Sequence, residues 1–180
     1  MRLFGILRRN RHERTGYELY CAAVAAARDP DFYRVLGVPD TLDGRFDLIG
    51  LHAFLLIRRL RGLPEPGTQL AQAVFDAMFN DMDVNLREMG VGDLSVGRKV
   101  RAMWEAFHGR ATAYQAAIEA GDAATLAAAL ARNVWRGSPA PGAAELARAA
   151  LAQEAYLGRQ GLDEMGRGIV SFLPAAAALA

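Results

Sequence analysis

The segment from Arg45 to Arg61 is apolar on nearly every face of the helix that its spacing predicts. Residues at helical spacing and further leucines together cover most of the helix surface: Phe46, Leu48, Ile49, Gly50, Leu51, Ala53, Phe54, Leu55, Leu56, Ile57 and Leu60. A helix that is apolar all round must be surrounded by other elements. We therefore expect the chain to fold around this helix.

The remainder of the chain predicts further helices and no strands. Of the 180 residues 35 are alanine, the strongest helix former, and no segment shows the β-branched alternation typical of strands. The predicted fold is an all-α, single-domain bundle of about six to seven helices. Capping residues, with Asp29 and Asp122 as two of the N-caps, apolar spacing and glycine or proline breaks place these helices near residues 15–28, 30–37, 45–61, 68–89, 95–120, 123–135 and 143–157.

The predicted positions of the helices divide the chain into three parts. Residues 1–14 form a basic N-terminal arm, residues 15–158 a helical domain and residues 159–180 a flexible C-terminal tail. The domain is expected to begin at Thr15, because Thr15 and Glu18 have the spacing of a capping box. The arm carries five arginines and one glutamate, a net charge of +4, against +1 for the whole chain.

The arm has two interpretations. Its apolar and basic side chains can lie on an anionic membrane surface, or the arm is a disordered basic tail. It lacks the long apolar stretch of an export signal. The residues expected at a membrane surface are Leu3, Phe4, Leu7, Arg8, Arg9 and Arg11.

Composition excludes several classes of protein. The single cysteine, Cys21, excludes a disulfide framework and a cysteine-based zinc site, and its alanine neighbours predict a small buried residue. The apolar stretch from Leu48 to Ile57 is too short to span a membrane. We expect no nucleic-acid partner and no cofactor.

The sequence contains no recognisable catalytic constellation. Of the three histidines, His52 lies on the apolar helix. This position predicts a core histidine that is hydrogen-bonded to a backbone carbonyl. Glu105 and His108 have the Glu-x-x-His spacing of di-iron bundles, but those sites need a second such motif and further carboxylates. The chain is expected not to be an enzyme. The alternative is a small α-helical metal- or cofactor-binding enzyme that uses Glu105 and His108.

A charged turn between two long helices is the most distinctive segment. Acidic and basic side chains precede and follow a turn that contains Gly90 and Gly92. Two antiparallel helices bring these charges to one end of the pair. These charges either form a binding surface or pair with one another and lock the turn. The third alternative is a solvent-exposed face with a few weak surface ion pairs.

This turn carries a family resemblance. The motif LREMGVGDLSVGRKVRAM, followed by FHGRATAY, closely resembles the ubiquinol–cytochrome c chaperone family. The upstream segments GRFDLIGLHAFLLIRRL and FDAMFNDMD and the downstream ALARNVW are similar to its bacterial members. The resemblance covers about residues 16–156 and is most specific at residues 86–98.

The resemblance implies a non-enzymatic helical chaperone. Its expected client is newly made cytochrome b, and its expected role is the biogenesis of the ubiquinol–cytochrome c reductase complex. The expected location is the bacterial cytoplasm, with peripheral contact at the inner face of the cytoplasmic membrane. Whether a partner subunit takes part is left open. The resemblance, with the basic residues beside it, predicts a client-binding set of Arg87, Glu88, Gly90, Gly92, Asp93, Arg98, Phe107, Gly109, Arg110 and Tyr114.

Overall fold

The structure is a computed structural model that describes the backbone of residues 2–179 and the side chains of residues 12–179. This part of the chain is an all-α bundle without strands, which confirms the predicted fold class. The helices are α1 (Arg2–Ala27), α2 (Pro30–Arg34), α3 (Leu42–Arg61), α4 (Gly67–Glu88), α5 (Asp93–Glu119), α6 (Ala123–Val134), α7 (Ala143–Gly158), α8 (Leu162–Met165) and α9 (Ala175–Leu179). Six of them are twelve residues or longer.

Helix α3 is the centre of the bundle. It packs against α1, α4, α5, α6 and α7, and its leucines from Leu48 to Leu60 are buried together with Phe54, as predicted from its all-round apolar surface. The helix begins three residues earlier than expected because Thr41 caps it, its hydroxyl accepting from the N–H of Gly44 at 3.1 Å. It ends before Gly62, with three arginines in its last turn, where cations favour the helix dipole.

Two predicted N-caps are confirmed. The Asp29 carboxylate accepts from the N–H of Asp31 at 3.1 Å and begins α2. The Asp122 carboxylate accepts from the N–H of Thr125 at 2.9 Å and begins α6. Aspartate satisfies N–H groups that have no partner in the first turn of a helix.

Helix α1 begins at Arg2 rather than at Thr15, so the predicted capping box is wrong. Thr15 is buried in mid-helix, and the Glu18 carboxylate lies 3.6 Å from the guanidinium of Arg14 instead of reaching back along the chain. A Cβ on Gly16 would lie 2.4 Å from the Cβ of Ala73. The small residues therefore allow a close approach of α1 to α4. The side chains of the residues predicted for a membrane surface lie outside the described residues.

The C-terminal segment, which was expected to be a flexible tail, makes hydrogen bonds with the bundle. The amide of Gln153 pairs with the backbone of Leu173, donating at 2.7 Å and accepting at 2.9 Å. Gln160 pairs with Ser171 in the same way, donating at 2.7 Å and accepting at 2.8 Å. Met165 is fully buried. Two glutamine side chains thus hold a segment without regular secondary structure against the bundle.

His52 is a core histidine, as predicted, whereas Cys21 is not buried. His52 Nδ1 lies 2.9 Å from the carbonyl oxygen of Leu48, and its ring contacts Phe32 and Phe172. Burial lowers the pKa of His52 to about 4, so the ring is neutral at pH 7. Cys21 is exposed, because it lies on the face of α1 that turns away from the core.

Candidate functional site

The turn between α4 and α5 is held by an arginine clasp. We call residues 83–98 the α4–α5 corner. Arg87 Nε lies 2.5 Å from Asp83 Oδ1 one turn earlier in α4, and Arg87 Nη1 contacts Asp93 at the start of α5. The guanidinium therefore joins the end of one helix to the start of the next. Arg87 and Asp93 pair with each other, which is the locking arrangement that the sequence left open.

The two glycines of the corner have different roles. Gly90 adopts a φ of +81°, a conformation in which a side chain is strained, and its N–H donates to the carbonyl of Arg87 at 2.9 Å. Gly92 has an extended backbone that other residues adopt, and a Cβ there would meet no atom within 4 Å. Gly90 is thus required by the turn, whereas the turn geometry leaves Gly92 free to vary.

The corner presents exposed apolar side chains that the sequence analysis missed. Leu94 is 99% exposed, and Met89 and Val84 are about half exposed. Glu88 and Arg98 are exposed beside them. Leu94 lies within the family motif but outside the inward-facing stripe of α5. A leucine at such a position was the signal in the sequence for an exposed apolar side chain.

Arg110 lies in a second cluster, apart from the corner. Its guanidinium contacts the carboxylate of Asp47 on α3, which also accepts from Arg136 Nη2 at 3.1 Å. Arg136 pairs in addition with Asp43 at 2.5 Å and has a φ of +50°. The Asp47 side chain is 1% exposed. Burial raises the pKa of Asp47, and the two guanidinium groups oppose that shift.

This cluster joins three parts of the bundle: α3, α5 and the loop after α6. The sequence analysis named Arg110 and missed its partner Asp47 and the other two members of the cluster, Asp43 and Arg136. An aspartate inside an otherwise apolar helix was a signal, because a buried carboxylate needs a cationic or hydrogen-bonding partner. The partner Arg136 carried no local signal of its own.

Tyr114 and Phe107 are packing residues of α5. Tyr114 is buried with its ring edge against Phe54, and its hydroxyl accepts from Asn133 Nδ2 at 3.1 Å. Burial raises the pKa of Tyr114 to about 12. Phe107 is half-buried, with its ring centroid 5.8 Å from that of Phe75.

Gly109, also in the predicted set, is exposed and faces open space. Apart from Gly109, the predicted set therefore divides into three kinds of position: the corner, the Asp47 cluster and packing residues of α5.

An open groove of about 540 Å³ runs between α3 and α5. Phe54, Ile57, Phe75, Phe107 and Ala111 give it an apolar floor. Its polar lining comprises Arg58, Arg61, His108, Thr112, Gln115 and Glu119. We call it the aromatic groove.

The Glu105 and His108 pair gives no support to a metal site. The Glu105 carboxylate accepts from Arg101 Nε at 3.0 Å, and the His108 ring packs against Trp104 with centroids 4.1 Å apart. Within the part of the chain that the structure describes, no group of three or more potential ligands is assembled for a metal ion. The two side chains are thus engaged with neighbours on α5.

Comparison with known proteins identifies the family. The family model described as ubiquinol-cytochrome C chaperone matches residues 34–172. The chain belongs to this family. The crystal structure of the Cbp3 homolog from Brucella abortus superimposes with a TM-score of 0.84 at 35% identity, over 98% of each chain.

A curated relative supports the assignment. Ubiquinol-cytochrome-c reductase complex assembly factor 1 of Xenopus laevis is 26% identical over 116 residues. That match covers 64% of this chain and 58% of the relative's length. Among the described residues, no helix has the length and apolar character needed to cross a membrane.

Proposed function

We propose that this chaperone-family chain binds newly made cytochrome b and assists the assembly of ubiquinol–cytochrome c reductase without catalysing a reaction. The observation that carries the proposal is the family match over residues 34–172, supported by the 35% identical Brucella structure. A multi-span client exposes apolar surface until its cofactors and partner subunits arrive. A chaperone that covers this surface needs a shaped, partly apolar face and no catalytic group.

The α4–α5 corner is the proposed client-binding surface. Its exposed Leu94 and Met89 provide apolar contact, and Glu88 and Arg98 stand beside them as charged contacts. Exposed apolar side chains grouped with polar neighbours are typical of protein interaction sites. Fixing such side chains before binding lowers the entropic cost of association.

Five other residues of the predicted site support this surface. Arg87 and Asp93 hold the corner together, and Gly90 permits its turn. Arg110 and Tyr114 fix the second half of α5 on the bundle through Asp47 and Asn133. These residues therefore position the corner, whereas Leu94, Glu88 and Arg98 contact the client.

The proposed location is the bacterial cytoplasm, at the inner face of the cytoplasmic membrane. A client that enters the membrane during its synthesis is met there. The net charge of +4 in residues 1–14 favours an anionic lipid surface by about 1 kcal/mol for each basic residue near it.

The test compares two leucines in matched positions. Leu94 is in the first turn of α5 and 99% exposed, and Leu42 is the first residue of α3 and 68% exposed. Either leucine changed to aspartate leaves the core intact and places a carboxylate where the helix dipole favours it. Both variants are introduced into cells that lack the chromosomal copy of the gene, and spectroscopic cytochrome b is measured.

We expect the deletion strain and the Leu94→Asp strain to lose cytochrome b, and the Leu42→Asp strain to keep it. Normal cytochrome b in the deletion strain contradicts the proposed function. Normal cytochrome b in the Leu94→Asp strain, with a phenotype in the deletion strain, contradicts the corner as the contact surface. Thermal unfolding of both purified variants checks that folding is unchanged.

A further inference from the structure

The aromatic groove is large enough to take up side chains of a partner. Its volume of about 540 Å³ lies in the range of pockets that enclose organic ligands, roughly 300–1,000 Å³. The ring of Phe107 forms part of its floor, with centroids 5.8 Å from Phe75 and 6.0 Å from Phe79. Aromatic side chains in such arrangements bind apolar groups through a large contact area.

The charges of the groove are unequal. Arg58 and Arg61 both line it from the last turn of α3, against the single carboxylate of Glu119. Arg58 pairs with Glu154 of α7 at 3.3 Å, and Glu119 accepts from Gln115 at 2.5 Å. Arg61 is exposed and has no ion-pair or hydrogen-bond partner within residues 12–179. One guanidinium group at the groove is thus left without a counter-charge.

We propose that the aromatic groove binds an apolar stretch of a client polypeptide that carries a carboxylate next to its apolar side chains. The apolar side chains lie on Phe75 and Phe107, and the carboxylate pairs with Arg61. This inference rests on the proposed function, and it gives the chain a second contact with its client, separate from the α4–α5 corner. A basic rim also selects against segments flanked by lysine or arginine.

Two variants test the two parts of the site. Arg61→Glu reverses the rim charge, and Thr112→Trp fills the groove from an exposed position on α5. The control for charge is Arg34→Glu, since Arg34 is also an exposed arginine in the last turn of a helix. The control for bulk is Ala106→Trp, because Ala106 is exposed on α5 and absent from the groove lining.

The probes are two fluorescein-labelled dodecapeptides with the same leucine- and phenylalanine-rich stretch, one followed by two aspartates and the other by two lysines. Binding to the purified full chain is measured by fluorescence anisotropy at low and high salt. We expect the aspartate peptide to bind at least about tenfold more tightly, with a preference that falls as salt screens the pair. Arg61→Glu removes the preference, Thr112→Trp abolishes binding, and both control variants bind as the native chain does.

Equal binding of the two peptides, or full binding to Thr112→Trp, overturns the proposal. Groove-dependent self-association, seen as a dimer that Thr112→Trp dissolves, overturns it in favour of a second copy as the occupant.

Cells separate this inference from the proposed function. If the gene deletion lowers cytochrome b and Thr112→Trp does not, the chaperone function stands and the groove is not the client site. If Thr112→Trp lowers cytochrome b and Ala106→Trp does not, the groove serves the client.

Discussion

Removing both arginines from the Asp47 cluster is expected to cost more stability than the sum of the two single losses. The Asp47 carboxylate is 1% exposed, and its ionic partners in the described chain are Arg110 and Arg136. With one partner removed, the other still neutralises the charge. With both removed, a buried carboxylate has no cation, and breaking a buried pair in this way costs about 3–5 kcal/mol.

The magnitudes follow from exposure. Methionine in place of arginine keeps much of the aliphatic stem, so the loss is mainly that of a charged hydrogen bond. Arg110→Met is expected to cost about 1–2 kcal/mol and Arg136→Met, at a more exposed position, about 1 kcal/mol. The double variant is expected to cost about 3–5 kcal/mol, which leaves roughly 1–2 kcal/mol of coupling. For a chain of this size 1 kcal/mol corresponds to a Tm shift of about 2–4 °C.

Urea denaturation followed by circular dichroism measures all three variants, and Asp47→Leu in the double variant is the control. Removing the uncompensated carboxylate recovers most of the loss, because the site is then apolar throughout. Without the two arginines, nothing opposes the burial of Asp47, which raises the pKa of its carboxyl group. Because the pKa of Asp47 is then higher in the folded than in the unfolded state, the double variant regains stability as the pH falls towards the pKa of Asp47 in the unfolded state. A double-variant cost equal to the sum of the singles refutes this account of a buried, ionised Asp47.

Three shorter predictions concern the core and the arm. Leu55→Asp is expected to abolish the cooperative thermal transition, since Leu55 is 1% exposed and the new charge has no partner; a retained transition contradicts the central position of α3. His52 has a folded-state pKa of about 4 against 6.5, so stability is expected to fall by on the order of 3 kcal/mol between pH 6.5 and pH 4, and His52→Leu is expected to flatten that part of the urea-midpoint profile. Neutralising Arg8, Arg9 and Arg11 with glutamine is expected to lower co-sedimentation with anionic vesicles by about two orders of magnitude at low salt; unchanged binding removes the membrane interpretation of the arm.

The sequence predicted the bundle and its centre because those depend on local pattern. Apolar residues on all faces of α3 require burial, and Asp29 and Asp122 mark helix starts by their own side chains. The same local reasoning failed at Thr15, where a threonine and a glutamate have the spacing of a capping box at a helix start. There Gly16 serves a contact with Ala73 on another helix, which no local pattern reveals.

The candidate site was predicted less completely than the fold. The family motif placed Arg87 and Asp93 together, and the structure pairs them. Asp47, the partner of Arg110, lies 63 residues away on α3, and Arg136, which pairs with the same carboxylate, lies in the loop after α6, so this cluster depends on how the helices pack. Leu94 was not selected because helical periodicity identifies the buried positions of a helix, and Leu94 is exposed.

The docking of the C-terminal segment has a consequence for the order of folding during synthesis. The N–H of Ala175 donates to the carboxylate of Asp29 at 2.9 Å, across a separation of 146 residues. Closing a free loop of that length costs roughly 4 kcal/mol of chain entropy, so this contact is expected to form only after α3 to α7 have packed and shortened the path. Chains emerge from the ribosome N-terminus first. The newly made bundle therefore carries exposed surface on α2 and α7 until α9 is synthesised.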